Sequence, residues 1–436
     1  MTESNDFRTE CGSADAVIIG AGPAGLVLGN LLLRRGVDCV VLERAGRDAV
    51  QNRARAGFLA PNTVRILRRH GLDEGLSRRG REHGVCEFRT EDGRFRLDYR
   101  RLGTGEPHTV YPQHELVTDL LAHFLGAGGR VRFDTEAVTV SGADGPAPEV
   151  AVRDGDGRPG RWRARYVAAC DGRHGAGRRS LPPGAVRRHH RDHGVSWLGL
   201  LAEAPPSLDA VGYAVHPRGF AGHMARSADI TRYYLQCARG TRAGDWSEDR
   251  VWDELDLRMR APAYGPLRRG RIVQRAVVPL VSDVLEPLRH GALFLAGDAA
   301  ALISPSAAKG ANLAVLEAEI LAGALADALV HGDPGGLDRY SERCLDHIWR
   351  AQEFSHWMIR LLHGTADPSD PPNHPADHRS SEPSDASDPS DPPDAYGFPA
   401  AGDEDLFQER LRRSRIASLR HSAARQNWFA ENYTGI

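Results

Sequence analysis

Six residues, Gly20-Ala21-Gly22-Pro23-Ala24-Gly25, follow directly on the apolar run Ala16-Val17-Ile18-Ile19. Glycines at this spacing allow a tight turn and bring backbone N–H groups at a helix start close to a pyrophosphate. Glu43 follows Gly25 by 18 residues, the place where a carboxylate accepts from ribose hydroxyls in a dinucleotide site. Two further segments come later, Cys170-Asp171-Gly172 and Ala296-Gly297-Asp298-Ala299-Ala300. Just beyond them stands Lys309, the only lysine in a chain whose other strong bases are all arginine. Coding bias accounts for the arginines but not for the one retained ammonium. A solvated surface lysine and a charge placed for chemistry are the two readings of Lys309.

The glycines are positioned by one βαβ unit. Residues 16–19 read as a buried strand, 26–35 as a helix ended by Gly36, and 37–42 as the next strand, ending at Glu43. Further strands are expected around 131–133, 149–152 and 166–169. Residues 195–201, 210–215 and 231–237 read as antiparallel strands of a separate sheet, unlike the parallel one. Residues 313–330 form a long Ala/Leu-rich helix, and 337–363 continue helical. Residues 365–403 repeat Asp-Pro, Ser-Asp and Pro-Pro steps with few apolar side chains. Such a stretch buries too little surface to offset its ordering entropy and is expected to be a disordered insertion. Residues 405–436 regain helical patterning with Trp428, Phe429 and Tyr433 and are expected to dock back on the core.

The 436 residues and 41% apolar content are enough for two domains or one large interrupted one. A net charge of −2 gives no global pull toward nucleic acid or a membrane. No 18-residue apolar run is present, so no transmembrane helix is expected. Residues 1–14 are polar and acidic, which reads as a disordered tail rather than a signal peptide. The six cysteines (11, 39, 86, 170, 237 and 344) lack CxxC spacing, so neither a metal site nor a disulfide framework is expected. Reduced thiols in the cytoplasm are the simplest reading.

The three glycine and acid segments, in this order, resemble those of the para-hydroxybenzoate hydroxylase family of class A FAD-dependent monooxygenases. The likeness runs from Ala16 to His363 and resumes at Glu431-Asn432-Tyr433-Thr434-Gly435. It includes Arg53-Ala54-Arg55-Ala56-Gly57, Val110-Tyr111-Pro112-Gln113, Trp197-Leu198-Gly199-Leu200-Leu201-Ala202, His216-Pro217-Arg218-Gly219-Phe220 and Arg232-Tyr233-Tyr234. The insertion has no counterpart in the family pattern. The resemblance implies an α/β fold: a Rossmann-like FAD-binding domain interrupted by a mixed β-sheet substrate domain, with a helical C-terminal part. The FAD-binding domain would take residues 15–87, 105–188 and 271–345, the substrate domain 88–104 and 189–270, and the helical region 346–364 and 404–436.

The resemblance also implies roles for individual residues. Gly20, Gly22, Gly25, Glu43, Arg55, Gln113, Asp171, Asp298, Gly310, Ala311 and Asn312 would contact FAD. Lys309-Gly310-Ala311-Asn312 would start a helix aimed at the isoalloxazine, its dipole and Lys309 stabilising charge on the reduced flavin. Arg226 would pair with the substrate carboxylate, with Tyr234 beside it, because a guanidinium fork matches a carboxylate. Tyr213 and Tyr433 would pass the phenol proton outward to His83, and the Pro305 carbonyl would lie beside the ring hydroxyl. A phenol of pKa ~10 is mostly protonated at neutral pH, so a site that attacks an electron-rich phenolate must stabilise that anion. Arg44, His174, Arg178 and Arg232 match positions linked to a surface cleft for the reductant. Ala49 and Val281 replace a tyrosine and an arginine of that cleft, with Arg47 available for a 2′-phosphate, so NADPH (or NADH) is expected.

Met224 stands where the family has a carboxylate-binding serine, Val211 and Gly222 where it has leucines facing the ring, and Phe58 exceeds its counterpart. Space is expected to open at Gly222 and Val211. Two readings follow: a 4-hydroxybenzoate bearing another substituent, such as an amino group, or neutral repacking with Met224 filling the volume. The implied reaction is hydroxylation ortho to the phenol by NAD(P)H and O2 through a flavin C4a-hydroperoxide, in a homodimer acting on a small aromatic acid. Hydroxylation at another ring carbon, oxidative decarboxylation, a non-hydroxylating flavin oxidoreductase and a non-catalytic flavin binder are the alternatives. The halogenase Trp-x-Trp-x-Ile-Pro pattern is absent.

Overall fold

The computed structural model describes residues 10–53, 57–260, 265–363 and 403–435. Arg55 and nearly all of the 365–403 insertion therefore lie outside the described residues.

The apolar run at 16–19 forms the end of the central strand Glu10–Ile19. This strand pairs in parallel with Cys39–Leu42 on one side and Pro159–Ala169 on the other. Arg130–Arg132 and Leu293–Leu295 extend the parallel order outward. Ala16, Val17 and Ile18 are completely buried, as expected for a strand covered on both faces. Helices Pro23–Arg34 and Gly310–Ala326 pack together over it, and Gln113–Gly126 packs against the first of them. The strand starts at Glu10, inside the tail expected to run to residue 14, because residues 10–14 pair with 160–164 of the long neighbouring strand.

The second sheet has eight strands. Its order is Ala301–Leu302, Arg271–Glu286, Arg187–Glu203, Thr231–Ala238, Ala221–Ala225, Val211–Ala214, Val85–Thr90 and Gly93–Asp98. Every pairing is antiparallel except that between Val211–Ala214 and Val85–Thr90. Successive side chains point to opposite faces. Leu198, Leu200, Tyr233, Leu235, Ala214 and Ala221 face a core built with helix Glu248–Arg258 and its Trp252 and Leu255. The alternate positions, Trp197, Gly199, Tyr213, Gly222, Met224, Arg232 and Tyr234, share the other face. The sequence reading placed residues 271–286 and 85–87 with the nucleotide-binding part, whereas pairing puts both in this second sheet. Arg271–Glu286 is one long strand, and Pro279 within it sits at the irregularity opposite Asp192 to Ser196, where a missing N–H is tolerated.

Helix Tyr340–Leu362 and the terminal helices Asp403–His421 and Ala423–Thr434 close the molecule. Phe429, Ala430 and Tyr433 form the buried face of the last helix and join Phe354, Met358, Phe88 and Tyr99 in one apolar cluster. The expected docking of this segment is thus observed. The Asn312 side chain ties the start of helix Gly310–Ala326 to the segment 58–63. Its Oδ1 accepts from Ala60 N and Thr63 Oγ1, both at 2.8 Å. Its Nδ2 donates to Phe58 O at 3.0 Å and Ala308 O at 2.7 Å.

Asn312→Ala leaves these buried donors and acceptors bare and is expected to lower stability by about 2–4 kcal/mol. Urea unfolding of the apoprotein measures this; an unchanged midpoint refutes the brace.

Candidate active site

Both sheets open on one cavity of about 770 Å³, within the usual range of ligand pockets. At one end lie Gly20, Gly22, Glu43, Gln113, Asp171 and Asp298. At the other lie Val211, Tyr213, Gly222, Met224, Tyr234 and Tyr433, with Pro305, Gly310 and Ala311 between them.

The first end fits a flavin dinucleotide. Gly20 turns with φ +101, where a Cβ would lie 2.6 Å from Cys170 O. A Cβ on Gly25 would lie 1.9 Å from Gly20 O, so that glycine serves close packing of helix on strand rather than contact with a ligand. Gly22 caps its helix with no side-chain cap and has open space before it, so backbone donors of the first turn face the cavity. Glu43 is held by Ala21 N at 2.8 Å and Ala45 N at 3.0 Å. Asp171 accepts from Gly177 N at 3.0 Å through Oδ2, while its buried Oδ1 has no protein partner. Burial raises its pKa. Helix Gly310–Ala326 likewise starts without a side-chain cap, so two helix N-termini meet the same cavity. A backbone-lined cradle with uncapped donors and one bare carboxylate oxygen suits the pyrophosphate and hydroxyls of FAD.

The other end is a single transverse row of the second sheet. Ala276, Gly199, Tyr234, Gly222, Tyr213, Phe88 and Phe95 are direct cross-strand partners in that order. Gly199 and Gly222 flank Tyr234 on the neighbouring strands, and its ring packs against Trp197 at 4.8 Å. The space expected at Gly222 is filled: a Cβ there would lie 2.8 Å from Phe220 Cζ. Arg226 follows strand Ala221–Ala225 at a tight turn, its N–H donating to Ile230 O at 2.9 Å. Burial lowers its pKa, and the nearby Tyr234 works against that shift. Arg232 lies over the Tyr234 ring at 6.0 Å.

Tyr213 and Tyr433 share a hydrogen bond of 2.7 Å between hydroxyls. Burial raises both phenol pKa values, so each stays protonated. His83 bonds neither tyrosine. Its Nδ1 is 2.7 Å from Tyr99 Oη, which in turn donates to His83 O at 2.8 Å. Burial lowers the His83 pKa to about 4.

Several predicted residues lie off the cavity. Lys309 is 1% exposed, which excludes the solvated surface reading. Its Nζ donates to Tyr433 O at 2.9 Å and to Gly435 O, and burial lowers its pKa to about 7. Asn312 is engaged in the brace described above. Arg178 clamps the Asp298 segment instead of facing the cleft, donating to Ala299 O at 2.6 Å and pairing with Asp283. Arg226 and His83 are also absent from the cavity lining, whereas Arg44, His174 and Arg232 are part of it. Sequence reasoning missed Glu317, which accepts from Gly297 N at 2.6 Å and is pushed up to about 8 by burial. It also missed Tyr99, His108 and Phe220. Only the alternation on strands 108–110 and 221–225 pointed inward at the last two.

A family model described as an FAD binding domain matches residues 13–355. The chain is 33% identical over 419 residues to the p-hydroxybenzoate hydroxylase of Acinetobacter baylyi (strain ATCC 33305 / BD413 / ADP1), covering 96% of this chain and 94% of that one. It is 32% identical over 361 residues to the 3-amino-4-hydroxybenzoate 2-monooxygenase PtnB3 of Streptomyces platensis, covering 76% and 84%. The fold matches p-nitrophenol 4-monooxygenase PnpA from Pseudomonas putida DLL-E4 with a TM-score of 0.74 at 19% identity, over 98% and 99% of the two chains. The chain belongs to the para-hydroxybenzoate hydroxylase family and is an FAD-dependent aromatic monooxygenase, with NAD(P)H and O2 as co-substrates. No helix among the described residues is long and apolar enough to cross a membrane.

The Lys309 amine loses its proton at about 7 in the folded chain, against ~10.4 when unfolded. Between these values the unfolded state binds more protons, so this group's contribution to stability rises with pH. Apoprotein urea titrations at pH 7 and 9.5 should show the wild type gaining on Lys309→Met; a pH-independent difference refutes a buried titrating amine.

Proposed function

We propose that this monooxygenase hydroxylates a 4-hydroxybenzoate-type acid ortho to its phenol, and that the natural substrate carries a further ring substituent such as an amino group. The observation that carries the reading is the row Tyr234–Gly222–Tyr213, with the Tyr213–Tyr433 hydroxyl pair at one end and Tyr234 at the other, close enough to Arg226, four residues on from Gly222, to act on its charge.

Bound FAD supplies the redox chemistry: it takes a hydride from NAD(P)H and activates O2 for transfer of one oxygen atom to the ring. Gly20, Gly22, Glu43, Gln113, Asp171, Asp298, Gly310 and Ala311 would hold it. The chain's own residues do the rest. Arg226 binds the carboxylate through its guanidinium fork, and Tyr234 borders that end. Tyr213 accepts the phenol proton as its own passes to Tyr433, so neither hydroxyl has to ionise. The resulting phenolate is stabilised by donation from Tyr213, and its ring carbons beside the oxygen are the electron-rich ones. Phe220, Trp197 and Val211, all buried, keep water from that carbon. His83 is the outward end of the path. Arg44, His174 and Arg232 are the proposed contacts of the reductant, with NADPH preferred.

The substituent is supported by Met224, an apolar side chain on the cavity wall, and by likeness to the Streptomyces platensis enzyme, whose named position 2 is meta to the phenol and so supports the substituent but not the ortho position. A homodimer is part of the same proposal.

Reconstitution with FAD, followed by NADPH-driven turnover of 4-hydroxybenzoate and 3-amino-4-hydroxybenzoate, tests it. One added oxygen with the carboxyl retained and tighter coupling for the amino acid are expected; full coupling only with the plain acid, or loss of CO2, defeats it. Arg226→Gln should weaken acid binding by roughly 30- to 1,000-fold, as for other buried charge partners. Tyr213→Phe should bind normally yet hydroxylate about 100-fold more slowly. Flavin fluorescence titration and product quantification separate the two effects.

A further inference from the structure

Behind the tyrosine pair lies a histidine to which the proposed reaction gives no task. His108 opens strand His108–Val110 and is 1% exposed. Its ring stacks on Phe58 at 4.2 Å and stands edge-on to Tyr433 at 5.0 Å and to Tyr99 at 5.5 Å. Directly across from it, on the antiparallel strand Arg81–His83, is His83. Such partners share a face with Cβ atoms roughly 5 Å apart.

The two nitrogens of His108 have different surroundings. Nδ1 is buried and has no hydrogen-bond partner in the protein. The ring also lies within reach of the Tyr433 backbone carbonyl, the same oxygen that accepts from Lys309 Nζ at 2.9 Å. With Nδ1 unpartnered, Nε2 is the nitrogen left to donate to that carbonyl, which makes Nδ1 a bare acceptor. Leaving such an atom unsatisfied costs about 1–3 kcal/mol, and in native interiors a bare buried polar atom marks an ordered water.

The groups facing His108 are Lys309, His83, Tyr99 and Tyr433. Burial, then the Lys309 and His83 charges, push its pKa well down, and the Tyr433 carbonyl opposes this only in part. The imidazole is thus neutral, with its Nδ1 lone pair available at every working pH. His83 is arranged to receive. The single Tyr99 hydroxyl proton goes to His83 O, so His83 Nδ1 must donate to Tyr99 Oη. That leaves His83 Nε2 as the acceptor.

We propose that His108 is a positioning residue of the proton path: it holds Tyr433 by its carbonyl and seats at Nδ1 a buried water that links Tyr433 Oη to His83 Nε2. The inference rests on the relay reading of Tyr213 and Tyr433. The protons balance by successive exchange. The phenol proton goes to Tyr213, that of Tyr213 to Tyr433, that of Tyr433 to the water, and one from the water to His83 Nε2 and then to solvent. No charge remains on His108.

The test mixes FAD-loaded enzyme anaerobically with 4-hydroxybenzoate in unbuffered indicator dye and follows proton release by stopped flow. His108→Val should slow release by about tenfold or more while the Kd from flavin fluorescence stays within about twofold. His108→Asn, which keeps a donor and an acceptor, should recover most of the rate. Release at the wild-type rate in His108→Val, with Tyr213→Phe slowed, overturns this inference and leaves the relay standing. Release at the wild-type rate in Tyr213→Phe as well overturns the relay and the inference together. Should the valine variant fail to retain FAD, His108→Phe, which keeps an aromatic ring against Phe58 and Tyr433 but has no acceptor, is read in the same way: slowed release supports the inference and release at the wild-type rate overturns it.

Discussion

A buried ammonium with no carboxylate partner among the described residues is the constraint around which the active site is organised. Removing a charge from water is costly unless hydrogen bonds replace the hydration. Lys309 finds those bonds only in the backbone carbonyls of Tyr433 and Gly435, with the Phe354 ring 5.6 Å away. Its own backbone caps helix Gly310–Ala326, whose first residues line the flavin end of the cavity. One side chain therefore joins the helix that meets the cofactor to the last turn of the chain. That turn carries Tyr433, and Tyr433 meets Tyr213 on the second sheet. The proton path is assembled only when the final helix docks and closes Lys309 from solvent.

The parts of this arrangement that were legible in the sequence are those set by local pattern. Residues 16–19 announce a two-sided buried strand by being apolar without interruption, and the glycines after it admit only a close turn. Alternation at 195–201, 210–215 and 231–237 fixes which residues share the cavity face once the strands pair. Family likeness then supplied Tyr213, Tyr433 and Tyr234, and the cavity brings all three to one end.

What was not legible depends on partners far away in the chain. Asn312 reads as a helix-start residue near a flavin, yet its amide is engaged by Phe58, Ala60 and Thr63, roughly 250 positions earlier. Arg178 reads as a surface cation, and its guanidinium is folded onto Asp283 and the Ala299 carbonyl. Lys309 reads as a charge aimed at the cofactor and is found aimed at the chain's last turn. In each case the backbone position was right, but the direction of a long side chain is decided by topology and not by spacing. The Gly222 reading failed for a related reason. A glycine empties space only if no neighbour on the same face enters it, and Phe220, two residues earlier, does.

That last substitution shapes the chemistry. With Phe220 over Gly222, the floor between Tyr234 and Tyr213 is an aromatic edge instead of an aliphatic branch. The tyrosines stand two strands apart, roughly 10 Å between backbones, so under the proposed reaction a flat ring resting on that floor would meet Tyr213 at one end and Tyr234 at the other. A ring with charge at both ends is a dianion, and its second charge needs a donor more than a cation. A cation there would hold the phenolate too firmly to share its electrons with the ring. In the proposed reaction the neutral Tyr213 hydroxyl, backed by Tyr433 and kept protonated by burial, would donate to the oxygen and return a proton when the reaction is over. Changes in substrate preference then fall on Met224 and Val211, the remaining cavity positions on that face where side-chain volume differs from the family and no hydrogen bond constrains it.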